Sequence, residues 1–541
     1  MFEQMFKELC LAHIPIVMCA ENFPDGKMAL TDLEAGRNWT YRELNRDINR
    51  LAHAFQGEGL EKGDVVMTSL LNSAESIIAI YAGFKAGVVS SPINFRLAVG
   101  EVAYHLEDSR PKIYIYDPEI ESIVKKALEM SAHNPQRVLS TGELAGYMEG
   151  RPETEPENIT GVTPFDECLR LYTSGTTGRA KGVPLSHFAN YICCFMVVAL
   201  DSWTPGHKIL AFSPYFHRAG NNAGFMPALS IGAHVFTMKH FDPVAALNAI
   251  EKAGINFLVG APPMFAAMSR VVRMKKGEKS WDLSSLQAID TMGAPLDRDT
   301  YLAMKETLCE KVYNSDGNTE AGWVIKQSPW APAEKYETNP VMNGVPMPFH
   351  FVRVVKRYPD RKADPGDLVA RDGVEKGEMI VRSPFQAVSY HNKPDKTAES
   401  FRDGWFYTGD AVTWDKDGYF MIHGRSGDMI LTGAENVYPD EVEAILLEHP
   451  KVRDCVVVGV PDPDGILGSV IVAYIVPEDG SLTAAELDGF CREHPMLARF
   501  KRPRYYRITG EIPYTATGKR IRYVVRERAR KDMEEGMFTK V

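Results

Sequence analysis

The sequence predicts an α/β protein: a large N-terminal part of parallel sheets covered by helices, a β-rich subdomain, and a small α+β C-terminal domain. Three observations carry this. Apolar, β-rich runs alternate with amphipathic stretches up to about residue 340. Segments then become short and turn-rich. Strand–helix alternation starts afresh after the polar loop Gly424–Asp428. A chain of 541 residues is also too long for one ordinary domain.

The elements follow in order. Val65–Leu71 reads as a strand and Ala74–Ala86 as its helix. The same pairing recurs in Ile113–Tyr116 with Ile120–Ala132, and in Lys208–Phe212 with Ala223–Ile231. Phe257–Val259 and Ala288–Met292 each precede a Gly/Pro turn, where an α/β sheet presents its binding loops. Phe351–Val355, Glu378–Arg382 and Gly418–Ile422 read as hairpin strands. Beyond the polar loop come strand Met429–Leu431, helix Asp440–Glu448, strands Val452–Val460 and Ser469–Val476, helix Ala484–Glu493 and a basic tail. The domain boundary falls at that loop, giving 1–424 and 425–541, with about 341–424 as the β-rich subdomain.

Composition narrows the function classes. Hydrophobic residues make up 45% and charged residues 24%, the balance of a folded globular chain rather than a disordered one. Against 61 Lys and Arg stand 71 Asp and Glu, a formal net charge of −10. Whole-chain electrostatics therefore gives no footprint for nucleic acid, and an anionic substrate needs a local positive site. The eight cysteines show no C-x-x-C pair and no zinc spacing, so buried, reduced thiols in a cytoplasmic protein are expected. The first residues carry acids and no basic leader pattern, and the longest apolar stretch, Ile192–Leu200, is too short to span a bilayer. A homodimer is compatible with the sequence.

The most informative segment is Leu171–Val183. Thr173, Ser174, Thr176 and Thr177 alternate with Gly175, Gly178 and Gly182, and Lys181 adds a positive charge. Glycines let backbone N–H groups converge on one point, hydroxyls add donors, and the ammonium attracts anions, which suits a polyphosphate. The segment does not fit the P-loop pattern G-x-x-x-x-G-K-S/T.

Thr173–Gly182 closely resembles the phosphate loop of the adenylate-forming superfamily, which holds acyl-CoA synthetases, amino-acid adenylation domains and beetle luciferases. Further matches run in the family order: Trp39–Leu44, Gly63–Val66, Gly87–Asn94, Gly293–Leu296, Gly317–Glu320, Tyr407–Asp410, Gly424–Arg425, Glu435–Pro439 and Pro513–Lys519. They span nearly the whole chain and point to the acyl-CoA synthetase branch. The resemblance implies a two-step reaction. A carboxylate attacks the α-phosphorus of ATP, giving an acyl-adenylate and pyrophosphate; the thiol of CoA then takes the acyl group and AMP leaves.

The resemblance also assigns roles. Thr173, Ser174, Gly175, Thr176, Thr177, Gly178 and Lys181 would hold the β- and γ-phosphates. Glu320 would hold Mg²⁺ together with Thr173, since a hard cation takes oxygen ligands. Gly293, Ala294 and Pro295 would wall the adenine, with Asp316, Gly317, Asn318 and Thr319 completing the nucleotide site. Asp410 would accept from both ribose hydroxyls and Arg425 would donate from the far side. Lys519 would bridge the carboxylate and the α-phosphate as the catalytic lysine. His217, in Ser213–Gly220, would sit where the acyl and pantetheine channels meet. Asn222, Gly293, Asn314 and Trp323 join it in the acyl pocket, and Gly433, Ala434 and Glu435 would line the CoA tunnel.

In this family the small C-terminal domain is mobile. It presents the lysine for the first half-reaction and the thiol tunnel for the second, pivoting just after Arg425. Gly427 stands in the hinge, where the family usually has a charged residue. Asp316 replaces a more frequent aromatic, and Ala434 replaces a common glycine beside the tunnel. The acid is expected to be medium-chain aliphatic, alicyclic or aromatic. Two alternatives stay open: transfer to a carrier protein instead of CoA, and a non-catalytic nucleotide-binding paralogue.

Overall fold

Alternating chemistry along the chain builds two large sheets. In the computed structural model the described residues are 2–156, 161–173, 179–293, 296, 298–327, 335–336, 342–358, 361–425, 430–433, 435–437, 439–513 and 522–541, with backbone only at 423–425, 436, 440, 441, 444 and 523. One sheet has six described strands in the order Arg137–Ser140, Ile113–Tyr116, Val65–Ser69, Val89–Pro92, Glu167–Thr173, Lys181–Ser186. All its pairings are parallel except the last, an antiparallel hairpin. The other has nine described strands, with Ala288–Thr291, Phe257–Gly260, Lys208–Ala211, His234–Thr237 and Met28–Asp32 running parallel through its middle.

The two sheets share a core. Helix Ala74–Ala86 is buried at every residue but Glu75, because it is apolar all round and lies between layers. Ser73 caps its start and Gly87, in the left-handed region, ends it. Helix Tyr41–Gly57 starts in a capping box formed by Thr40 and Glu43 and sends one face into the same core.

The turn-rich region forms an antiparallel sheet of Phe351–Val355, Gly377–Arg382, Trp405–Trp414 and Phe401–Arg402, with Phe420–Arg425 paired to Trp405–Trp414. The C-terminal region holds the hairpin Ile430–Thr432 with Glu435–Val437, and the sheet Val452–Pro461, Ser469–Pro477, Tyr505–Ile508, Thr539–Lys540.

Two expectations need correction, and one strand had no expectation at all. The basic tail is folded: Tyr505–Ile508 adds a parallel strand, and helix Arg522–Glu534 buries Val525 and Ala529. Its i, i+4 apolar stripe is narrow and dense basic residues hide it. The stretch Ala223–Ile231 is not one helix but a wide π-type turn, Ala219–Phe225, followed by the short helix Met226–Ser230. Glu435–Val437 is a strand, too short for its pattern to show in the sequence.

Candidate active site

The phosphate-type loop joins two antiparallel strands, with Thr173 directly opposite Lys181. Ser174, Gly175, Thr176, Thr177 and Gly178 lie outside the described residues. At the hairpin ends, the Thr173 hydroxyl oxygen is buried with no hydrogen-bond partner among the described residues, and the Lys181 ammonium lies 4.1 Å from the centre of the Tyr390 ring. The Tyr390 hydroxyl donates to Glu320 Oε1 at 2.7 Å. Glu320 is itself buried. Its backbone is fixed from two sides: Ala387 N–H donates to the Glu320 carbonyl at 2.6 Å, and Arg218 Nη1 donates to the Thr319 carbonyl at 2.6 Å. Burial lowers the affinity of Arg218 for its proton, while Glu320 is among the groups favouring its charge.

The nucleotide-site candidates lie on or just after sheet strands. Gly293, just after Ala288–Thr291, has φ +78°, a conformation glycine adopts without strain; Ala294 and Pro295 lie outside the described residues. Asp316, Gly317 and Asn318 close strand Val312–Asn318. Asn318 Oδ1 accepts from Ala321 N–H at 2.7 Å, leaving its shielded Nδ2 unpartnered among the described residues. Asp410 is buried, and its backbone is the cross-strand partner of Arg425. The Arg425 side chain, Gly427 and Lys519 lie outside the described residues.

Of the acyl-pocket candidates, Asn222 lies in the π-type turn and Asn314 and Trp323 lie on sheet strands. Asn222 Nδ2 donates to Asn190 Oδ1 at 3.0 Å. Asn222 Oδ1 and Trp323 Nε1 are both buried without partners among the described residues. These residues abut neighbouring cysteines of helix His187–Asp201: Cys194 meets the Asn222 amide and Cys193 the Trp323 backbone. Asn314 is buried, its N–H donating to Gln327 Oε1 at 3.0 Å. Next to Trp323, the Lys326 ammonium is buried against Asp290 and, at 2.5 Å, Asp201. Burial raises the pKa of the Asp290 carboxyl, against the pull of Lys326.

From the C-terminal region, the hairpin Ile430–Thr432 with Glu435–Val437 reaches this site. Glu435 is buried, 3.1 Å from Arg96 Nη1, 3.2 Å from Asn94 Nδ2 and 3.8 Å from His217 Nε2. Burial alone would raise its pKa, but His217, Arg96 and Asn94 outweigh it and hold the carboxyl below its ordinary value. His217 Nε2 is beyond hydrogen-bond reach of Glu435 and has no other partner among the described residues. Gly433 N–H donates to the Leu467 carbonyl at 2.9 Å, and Ala434 lies outside the described residues.

The structure thus brings together Thr173, Lys181 and Glu320 in one place, and His217 and Glu435 in another. Tyr390, Arg218, Asn94 and Arg96 were not singled out from the sequence. Arg218 adjoins His217 and Asn94 ends a matched motif, so their neighbourhood was legible. Tyr390 carried no signal.

Two family models match the chain: the AMP-binding enzyme over residues 18–391 and the AMP-binding enzyme C-terminal domain over residues 441–519. Feruloyl-CoA synthase of Amycolatopsis sp is 34% identical over 498 residues, 91% of this chain and 94% of that protein. The fatty acid–[acyl-carrier-protein] ligase ScoC of Streptomyces coeruleorubidus is 32% identical, covering 91% and 92%. Among solved structures, a double mutant of o-succinylbenzoate CoA synthetase from Bacillus subtilis, bound with its product analogue OSB-NCoA, matches with TM-score 0.80 and 26% identity, covering 95% of this chain and 98% of that one. With both family models matched and its sheets in place, the chain belongs to the adenylate-forming superfamily of AMP-binding enzymes, on the branch of the AMP-forming acid–CoA ligases.

Proposed function

We propose that this enzyme activates an aromatic carboxylic acid bearing a polar substituent with ATP, and passes the acyl group to CoA. The observation that carries the reading is the Glu320–Tyr390–Lys181 cluster at the base of the hydroxyl- and glycine-rich hairpin. It sets an ammonium and a buried carboxylate beside a loop rich in donors, as a polyphosphate requires.

The buried Glu320 carboxylate and the Thr173 hydroxyl, without a partner among the described residues, fit Mg²⁺, a hard cation that takes oxygen ligands. When bound, Mg²⁺ neutralises phosphate charge. Asp410 accepts from the ribose, and Lys519 stabilises charge as the carboxylate oxygen bonds to the α-phosphorus and the bond to pyrophosphate breaks. The thiol sulfur then bonds to the acyl carbon and the carbon–oxygen bond to AMP breaks.

Two features favour a polar aromatic acid. Asn222 Oδ1 and Trp323 Nε1 offer a buried acceptor and a buried donor without partners among the described residues; a buried polar atom left unpaired is costly, so a substrate hydroxyl that satisfies it is selected. The feruloyl-CoA synthase relative carries an aromatic acyl group in its name. CoA as acceptor is supported by the hairpin that brings Glu435 to His217, the arrangement expected when the thiol tunnel is in place. The likeness to a structure bound with a CoA product analogue points the same way.

The test is an acid panel with ATP and Mg²⁺, with and without CoA, read as pyrophosphate release and acyl-CoA formation. Hydroxylated aromatic acids giving both products support the proposal. AMP release without an acyl-CoA product favours a carrier-protein acceptor, and ATP binding without pyrophosphate release by any acid favours a non-catalytic role.

A further inference from the structure

The pose that sets Glu435 beside His217 is held at a second point, on helix Val99–Ser109. There the Glu101 carboxylate, 8% exposed, pairs with the Lys501 ammonium of the C-terminal lobe, a residue 6% exposed. Glu101 is oriented for this contact. Its Oε2 accepts from Ala98 N–H at 2.9 Å, capping the helix, and Oε1 is the atom that meets Lys501. One residue earlier, Gly100 N–H donates to the Pro495 carbonyl at 2.6 Å. A Cβ at Gly100 would lie 2.1 Å from Met496 Sδ and 3.0 Å from the Pro495 carbonyl oxygen, so any side chain there has to displace the Met496 side chain and crowd the Pro495 carbonyl where the two lobes meet.

We propose that Glu101 and Lys501 form a latch, with Gly100 as its seat, that locks the C-terminal lobe in the thioester-forming pose. The inference rests on the CoA-ligase reading above, because that reading assigns the pose to the second half-reaction.

The physical case is an asymmetry between poses. With the lobe docked, both charges are buried; removing the Lys501 ammonium leaves the Glu101 carboxylate buried without that cation, and neutralising Glu101 takes one carboxylate partner from a buried ammonium. With the lobe rotated away, each charge returns to water and the loss costs little. Substitutions here therefore penalise the docked pose selectively. The other end of the same helix serves the ATP side: Tyr104 Oη donates to the Ala180 carbonyl at 2.8 Å and Asp108 Oδ2 accepts from Tyr172 Oη at 2.8 Å, both on the phosphate hairpin. Residues 100 and 101 point to the lobe, and residues 104 and 108 to the hairpin.

Glu101→Gln keeps a carbonyl oxygen for the helix cap but removes the charge. Transfer of a preformed acyl-adenylate to CoA should slow about tenfold or more, while pyrophosphate release stays within about twofold. Gly100→Val should show the same split. Glu101→Gln with Lys501→Met should transfer faster than Lys501→Met alone, because no buried charge is then left unpaired. Hydrogen exchange supplies a readout independent of catalysis: residues 98–104 and 494–501 should lose protection together in Glu101→Gln and in Gly100→Val. Unchanged exchange in both variants, or equal loss of both half-reactions, overturns the latch. An unaltered chain that releases no pyrophosphate with any acid overturns the ligase reading instead, and the exchange experiment still decides whether the two lobes are locked here.

Discussion

The Tyr390 hydroxyl is hydrogen-bonded to Glu320 at 2.7 Å while the same ring carries the Lys181 ammonium 4.1 Å from its centre. One side chain thus sets the spacing between the candidate metal-binding carboxylate and the candidate phosphate-binding lysine. Tyr390→Phe keeps the ring and removes the bond. A hydrogen bond to a charged group contributes about 1.5–3 kcal/mol, so pyrophosphate release should fall roughly tenfold or more. The Mg²⁺ concentration for half-maximal rate should also rise. A magnesium titration checks this, and an unchanged Mg²⁺ requirement would separate Tyr390 from the site.

Asn222→Leu removes the buried acceptor from the acyl pocket. Preference for a hydroxylated aromatic acid over its unsubstituted parent, taken as a ratio of kcat/KM, should fall by roughly tenfold, about 1.4 kcal/mol. Parallel kinetics with the two acids measure it. A ratio that does not move contradicts the pocket assignment.

Lys326→Met leaves Asp201 and Asp290 buried without their shared cation. Breaking a buried ion pair costs about 3–5 kcal/mol, so the urea midpoint of the N-terminal part should drop clearly. Coupled substitution of all three by apolar residues should recover most of that loss.

His187 and His234 are neutral when folded, because burial lowers each pKa from 6.5 to about 4. His187 Nδ1 also accepts Ala12 N–H at 3.2 Å, which a protonated ring could not do. The unfolded chain binds more protons between these values. This contribution is fully present above pH about 6.5 and is lost as pH falls toward about 4. Between pH 7 and pH 5 each histidine should remove roughly 2 kcal/mol of stability. Denaturant midpoints across that range measure the effect, and His187→Gln should flatten the slope.

Much of the fold was legible because βα alternation writes itself into apolar periodicity: Val65–Ser69, Ala74–Ala86, Ile113–Tyr116 and Lys208–Ala211 fall where the pattern puts them. The candidate site was legible in two ways: residue type and local spacing marked Thr173 and Lys181 as a phosphate-type loop, and the family resemblance marked Glu320. What the sequence hid depends on long-range closure. Tyr390 meets Glu320 across 70 residues, Arg96 meets Glu435 across 339, and Lys501 meets Glu101 across 400. No local pattern encodes such pairs. Helix Arg522–Glu534 was hidden for a different reason, since its few apolar positions are set among arginines and lysines.

The two-step account is tested most directly by Lys519→Ala measured in each half-reaction separately. The account predicts that pyrophosphate exchange is abolished while CoA still captures the acyl group from supplied acyl-adenylate at a near-normal rate. Equal loss in both halves, or undiminished exchange, would contradict it.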